Sequence, residues 1–502
     1  MTDARHTAEA TRLAEVVAAG GRIGRSHRLH RPRGGFCARG YCQQCPLKDG
    51  GLACETPAGH GGPPRGGLDP LRPLGWFGER MPPWFYETRF LRPRAARQPA
   101  LELLRRLSAA YRLPVDPALA SPPGREIPAD VVVVGGGPAG VAAAAAAATR
   151  TSVVIMTRGP LGGSLPLERE VADRLSRDIA SLQRSDATIL ERTVCLGRYG
   201  EEDRVVALSA SDGPAVIRAE RLIVASGAYD RSVLVVGADL PGVVGLRGFQ
   251  LLAAQGALRN RSIGVIGTGA ELQRAVATAS AFGLALGWAA GSRSDLDVPA
   301  GMDVHRVAVR GIRGRRRALG VTLVNGTALD SDVVVLATTQ PTFELQLQLG
   351  AVPSFVGAPP IIRPTGGTTS PMLTVGEAAG WLDAPSTANR AADDVKAWLA
   401  GGEPTSVDPV AEGPLIAPPT GDAVVCVCED VRQRDVERAI ADGFDDVELV
   451  KRRSGATTGA CQGKLCMPLL AEAFATRGLP PGITTVRPPI RPVRIADLGG
   501  PG

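Results

Sequence analysis

Eight of the nine cysteines in this 502-residue chain fall into two quartets, and cysteines grouped by fours suggest metal ligands. Cys37, Cys42, Cys45 and Cys54 lie near one end, Cys426, Cys428, Cys461 and Cys466 near the other, and Cys195 stands alone. Met1–Arg33 is polar and charged without an apolar core, so no export signal is visible. Reduced thiols or metal ligands are therefore expected rather than disulfides.

The first quartet reads Cys37-x4-Cys42-x2-Cys45-x8-Cys54, which follows plant-type [2Fe–2S] spacing. Four thiolates must converge on two irons, so three come from one loop wrapped around them. Gly34, Gly35 and Gly40 let that backbone turn inward. Zinc knuckles of the Cys-x2-Cys kind fit the four-residue gap badly. The nearby His27 and His30 read as surface residues.

The second quartet reads Cys426-x-Cys428 and, 32 residues on, Cys461-x4-Cys466. Val431–Ala441 and Asp445–Arg453 have helical periodicity, with Val436, Ala439 and Ile440 on one face. A helical pair would bring the two cysteine pairs together, and Gly455, Gly459 and Gly463 would shape the closing loop. The layout resembles the bacterioferritin-associated-ferredoxin-like (BFD-like) [2Fe–2S] domain over roughly Val424–Ala475, with zinc as the alternative ligand. Cys195, between Val194 and Leu196 on an expected strand, reads as a buried small apolar residue.

Between the quartets, Val131–Gly140 spells a strand, a G-x-G-x-x-G turn and the start of an Ala-rich helix. Gly135 makes the tight turn, Gly137 lets the backbone approach a pyrophosphate, and Gly140 allows close helix–strand packing. The helix start at Pro138 and Ala139 would present amides to phosphates. Gly162, Gly163 and Ser164 follow the second strand. Val194, Ala225, Ser226 and Gly227 complete the candidate pocket, and Ile223–Tyr229 resembles the A-T-G-A turn of two-dinucleotide flavoproteins. Thr374–Gly380, with Gly376 and Glu377, resembles their late G-D motif. Two departures stand out: Thr157 and Arg158 occupy the place of the acid that would hold the adenosine ribose, and Glu377 replaces Asp. FAD is the expected ligand; a nicotinamide or adenine nucleotide, or a purely structural fold, are the alternatives. A second unit, Ile263–Gly269, keeps two glycines but has Leu272 at the third position, so NAD(P) binding there and structural use are equally compatible with it.

These elements need a frame. Strands are expected at Val131–Val134, Ser152–Met156, Arg221–Ala225, Ser262–Ile266, Asp332–Leu336 and Leu373–Val375. Most are β-branched and apolar on both faces, as buried parallel strands are. The fold class is therefore α/β: a two-dinucleotide-binding-domain flavoprotein like glutathione or thioredoxin reductase, flanked by an N-terminal ferredoxin-like module and a small helical C-terminal domain. The expected division is a module at 1–62, a linker at 63–128, the FAD-binding domain at 129–245 with its return at 351–401, and the second dinucleotide domain at 246–350. A linker at 402–420, a BFD-like domain at 421–478 and a Pro-rich tail at 479–502 complete it.

The net charge of +7 is not gathered into one long basic run, and no nucleic-acid-binding signature appears, so no nucleic acid partner is expected. The most apolar stretch, Val131–Ala148, is broken by Gly135–Pro138 and is a poor membrane span. A cytoplasmic protein without a transmembrane segment is expected. His305, beside Arg310–Arg317, reads as exposed rather than catalytic.

Taken in order, these motifs resemble the α subunits of heteromeric sarcosine oxidase-like enzymes. That family includes opine oxidases, proline and hydroxyproline dehydrogenases, and glycine-oxidising hydrogen cyanide synthases. The resemblance is carried further by His30-Arg-Pro-Arg-Gly34, Pro82–Phe90, Leu240-Pro-Gly-Val243, Cys426–Asp430 and Arg487-Pro-Pro489. It implies a division of labour: a partner β subunit of the FAD-dependent amine-oxidase type removes a hydride from an amine, and this chain conducts electrons through its clusters to an acceptor. It also implies room for small additional subunits and for an FMN at a subunit boundary, with no ligands assignable here. The chain ends before the folate-binding domain of the long sarcosine oxidase α chain, so one-carbon transfer is not expected. No substrate acid–base pair is recognisable, and the catalytic residues are unassigned. The alternative is a stand-alone NAD(P)H-dependent flavoprotein iron–sulfur reductase.

Overall fold

The computed structural model describes residues 9–26, 31–49, 51–64, 99, 124–163, 165, 169–199, 204–209, 212–293, 298–365, 371–380, 384–404 and 413–493. Ser164, His27, His30 and the motif at 82–90 lie outside the described residues.

Strands apolar on both faces are stable only between two covering layers, and the first sheet is built around such a strand. Val131–Val134 closes the strand Arg125–Val134, which starts ahead of the expected boundary at 129. It pairs in parallel with Val153–Met156 on one side and Gly213–Val224 on the other. Thr188–Leu190 and Met372–Thr374 extend the parallel part, while Arg204–Ser209 and Thr193–Tyr199 add an antiparallel wing. The helices Pro138–Ala147 and Ala384–Leu399 cover one face, where Ala142, Ala143, Ala388 and Ala391 share a core with Val131 and Val133. Small side chains permit that approach. A Cβ on Gly140 would lie 1.8 Å from the Gly135 carbonyl oxygen.

The second sheet is wholly parallel, in the order Val243–Gly245, Val333–Ala337, Ile263–Gly267, Leu286–Ala290 and Asp303–His305. It begins at Val243, inside the stretch expected to belong to the first domain, because a three-residue strand carries too short a pattern to be read. An antiparallel sheet, Val309–Gly314, Ala318–Leu323 and Ala328–Asp330, adjoins it. The strands Ala228–Asp230 and Thr339–Pro341 pair where the chain crosses between the two domains. His305, expected at the surface, is half-buried at the end of its strand.

The terminal modules are docked on this frame. In the first, the helix Arg12–Ala18 and the hairpin Gly24–Arg25/Pro32–Arg33 lead into the cysteine loop. Its Leu13, Ile23, Leu47 and Leu52 share a core with Phe249 and Leu252 of the helix Leu246–Ala254. That helix fits because residue 248 is glycine: a Cβ there would lie 2.3 Å from the Phe36 carbonyl oxygen. The last module carries the helices Gln433–Ala441, Val447–Ser454 and Met467–Ala475. Asp446 caps the middle one by accepting from the Glu448 and Leu449 amides, and Gly455 ends it in the left-handed conformation at φ +78°. Val436, Val450, Leu470 and Phe474 close its core, with Leu234 contributed by the larger body.

Candidate functional site

One cavity of about 490 Å³ lies at the C-terminal ends of the first sheet's parallel strands, where open α/β sheets take ligands. Gly135, Gly137, Pro138, Ala139, Thr157, Arg158, Gly162, Gly163, Val194, Ala225, Ser226, Gly227 and Glu377 all line it. Gly140 and Gly376 stand behind the wall; a Cβ on Gly376, which has φ +70°, would lie 2.7 Å from the Ala139 Cβ. Gly137 faces open space, with nothing within 4 Å of a Cβ built there, and it is the N-cap of Pro138–Ala147 with no side chain bonded to the first-turn amides. A pyrophosphate fits those free amides and that missing side chain.

Cys195, expected to be buried, is buried and also lines the cavity, and burial pushes its thiol up to about 12. Glu377, expected as the counterpart of the G-D acid, is engaged by two cations. Arg247 pairs with its Oε2, and Arg274 Nη1 lies 2.7 Å from its Oε1. Burial alone would raise this carboxyl, but the two guanidinium groups outweigh it and hold the group at about 2. Arg158 donates to the Arg39 carbonyl oxygen and approaches Glu55 at 3.7 Å, so the residue at the ribose-acid position reaches the cysteine loop of the first module.

Sequence reasoning missed the remaining walls. Arg39, Gly40, Tyr41 and Gln43 enter from the first quartet's loop, and Ala460, Cys461 and Lys464 enter from the second's. Tyr41 donates to Asp230 Oδ2 at 2.8 Å and stacks at a tilt on Tyr229, ring centroids 4.8 Å apart. Asp230 in turn accepts from the Arg247 and Gly248 amides at 2.7 and 3.2 Å, which ties the loop to the start of Leu246–Ala254. Lys464, buried beside Glu344 at 3.5 Å, donates to the Cys461 carbonyl oxygen at 3.3 Å. The spacing of Tyr41 between Cys37 and Cys42 was the one available signal, since loops that wrap a cluster also face outward to something.

The quartets differ in arrangement. In the first, Cys37 is hydrogen-bonded to Cys42, and Cys45 Sγ lies 3.2 Å from Cys54 Sγ, which makes two sulfur pairs. In the second, Cys426 and Cys461 each contact both Cys428 and Cys466, a closed ring of four sulfurs. All eight are free thiols. Among the described residues no group of three or more His, Cys, Asp or Glu is arranged to hold a single metal ion. Four thiols brought together from two pairs, buried except for the half-buried Cys428, fit a two-iron cluster in donor chemistry.

At the second unit, Leu272 is fully buried in the core. The segment Gly413–Ala417 crosses the end of the strand Leu286–Ala290: the Leu415 amide donates to the Gly291 carbonyl at 2.8 Å, and Arg293 Nε donates to the Gly413 carbonyl at 2.7 Å. The chain itself thus occupies the strand end at which a nucleotide ribose would be held.

Two sheets of this topology, with a glycine-turn cavity at the first, define a two-dinucleotide-binding-domain flavoprotein fold. Residues 129–282 match the family model for pyridine nucleotide-disulphide oxidoreductases, and residues 420–500 match that for the sarcosine oxidase A3 domain. The chain is similar to the hydrogen cyanide synthase subunit HcnB of Pseudomonas protegens, 41% identical over 49 residues, which are 10% of each chain. It is also similar to an opine oxidase subunit of Agrobacterium tumefaciens, 33% identical over 89 residues, covering 17% of this chain and 18% of that one. The matches thus span less than a fifth of these relatives' lengths. Among solved structures, L-proline dehydrogenase from P. horikoshii superposes with a TM-score of 0.70 at 17% identity, covering 97% of this chain and 94% of that one. Among the described residues no helix is long and apolar enough to cross a membrane.

Proposed function

We propose that this chain is the electron-transferring subunit of a heteromeric FAD-dependent amine or imino-acid dehydrogenase or oxidase. In this reading FAD occupies the cavity, each cysteine quartet holds a [2Fe–2S] cluster, and a partner subunit of the amine-oxidase type oxidises the substrate. When bound, such groups supply hydride acceptance and one-electron conduction; the protein supplies position and insulation. Gly135, Gly137 and the amides after Pro138 would seat the pyrophosphate, and Thr157 would offer a hydroxyl to the ribose. Glu377 is held ionised by Arg247 and Arg274. Cys37, Cys42, Cys45 and Cys54 would hold one cluster, and Cys426, Cys428, Cys461 and Cys466 the other.

The observation that carries the proposal is that one cavity is walled by the dinucleotide turn and by both cysteine loops, through Arg39–Gln43 and Ala460–Cys461. A redox group there is in contact with both ends of the conducting path. The similarity to opine oxidase and hydrogen cyanide synthase subunits supports the amine class. The reading as a stand-alone NAD(P)H reductase would need the second unit to bind nicotinamide nucleotide, and Gly413–Ala417 and Leu272 argue against it. The test is turnover of the isolated chain on sarcosine, proline, hydroxyproline, glycine and opines. No amine oxidation is expected until a partner subunit of the amine-oxidase type is added. Robust activity of the chain alone would overturn the assignment.

A further inference from the structure

The two quartets come from opposite ends of the chain, and one side chain joins them. Gln44, between Cys42 and Cys45, places its Nε2 3.0 Å from the Cys42 carbonyl oxygen and 3.5 Å from Cys428 Sγ. The Cys42 carbonyl and the Cys428 sulfur are thereby held within two hydrogen-bond lengths of each other. Around this contact the surface is apolar: Leu465 and Val427 pack in the same core as Phe36, Cys37 and Cys42. Cys428 is the one half-buried member of its quartet, and its sulfur is the one that Gln44 of the first loop reaches. An N–H donated to a ligand sulfur draws charge from it and favours the reduced state of the centre.

We infer that Gln44 is the positioning residue of a direct relay between the two centres, holding them in contact and setting the potential of the second from the loop of the first. The inference rests on the reading that each quartet holds a [2Fe–2S] cluster. One electron moves at a time: the donor centre is oxidised, the acceptor centre is reduced, and no bond or proton changes place. A reduced flavin is the source, and a one-electron carrier is the sink.

The test uses the full chain, purified without oxygen and reduced with dithionite, so that neither substrate nor partner is needed. Iron and sulfide analysis comes first, and the absence of either centre overturns the functional reading together with the relay. With both present, the paramagnetic resonance of the reduced chain should show two mutually broadened, fast-relaxing signals. Cys45→Ser, which removes the first centre, should return the second to slow relaxation. Gln44→Met keeps the side chain's length without its N–H. It should lower the reduction equilibrium constant of the second centre about tenfold, roughly 59 mV for a one-electron couple, and leave the first within about twofold. Signals that relax independently in the wild type overturn the relay. So does a second centre whose potential ignores Gln44→Met, and if that variant fails to fold, the wild-type relaxation measurement still decides.

Discussion

Arg33 and Asp430 stand 397 positions apart in sequence and form a buried ion pair in the fold. The same guanidinium pairs with Asp239, which also receives Arg31 at 3.1 Å. One arginine from the first hairpin therefore binds both the central body and Asp430, two positions after the Cys426–Cys428 pair. Its own burial disfavours the charge, but the two carboxylates outweigh this and strengthen its hold on the proton.

Removing that arginine would take away a guanidinium that two buried carboxylates share, with Arg31 remaining on Asp239. Arg33→Met is expected to cost about 3–5 kcal/mol, measured by urea unfolding, with the terminal modules becoming susceptible to protease first. Arg33→Lys should recover part of the loss, since it restores the charge but not the fork. A loss under about 1 kcal/mol would mean that the clamp is incidental.

Gly137 and Gly140 lie in one motif and should respond oppositely. A side chain at 137 meets nothing within 4 Å, so Gly137→Val should fold with the melting temperature of the flavin-free wild type and lose bound FAD. A Cβ at 140 would stand 1.8 Å from backbone, so Gly140→Ala should destabilise the first sheet by about 1–3 kcal/mol whether or not a ligand is present. Flavin absorbance after desalting separates the two, and a Gly137→Val protein that keeps its flavin means the pocket is misassigned.

The chain purified without oxygen should hold about four iron and four acid-labile sulfide. Cys461→Ser should remove the signal of one cluster and leave the other. Stoichiometric zinc with no visible absorbance would end the cluster reading.

Glu271 offers a pH test. Burial is the largest influence on it and lifts its carboxyl from 4.5 to about 7, against the Thr339 hydroxyl and the charges of Arg247 and Arg274. Between those two values the folded chain holds a proton that the unfolded chain has released. Stability therefore falls as pH rises through this window and levels off above it. Glu271→Gln should flatten that slope and be more stable than wild type above about pH 7, by on the order of 1–3 kcal/mol, with no advantage below the unfolded value. Parallel urea midpoints across the window for both proteins would refute it.

What could be read from sequence was what repeats locally. Val131–Val134, Val153–Met156 and Ile263–Gly267 announce themselves by β-branched runs before glycine, and the quartets by spacing. The helical periodicity of Asp445–Arg453 located the helix Val447–Ser454 but not its caps at Asp446 and Gly455. The walls of the cavity were not legible, because Tyr41, Lys464 and Arg274 reach it from three modules and no local pattern encodes a meeting point. Nor was the pairing of Glu377 with Arg247 and Arg274, which depends on the second domain's helices packing over the first site. The strand Val243–Gly245 is too short for periodicity to place.

The Arg33 clamp also bears on how the protein is made. At ribosomal rates of about 5–20 residues per second, the 397 positions between Arg33 and Asp430 take roughly 20–80 s to emerge. Leu465, which shares the core of Cys37 and Cys42, emerges later still. The first cysteine loop is therefore synthesised well before Asp430 and Leu465, which complete its enclosure after mid-chain residues such as Val233 and Val334. Until those residues emerge, the side of the loop that they cover stays open.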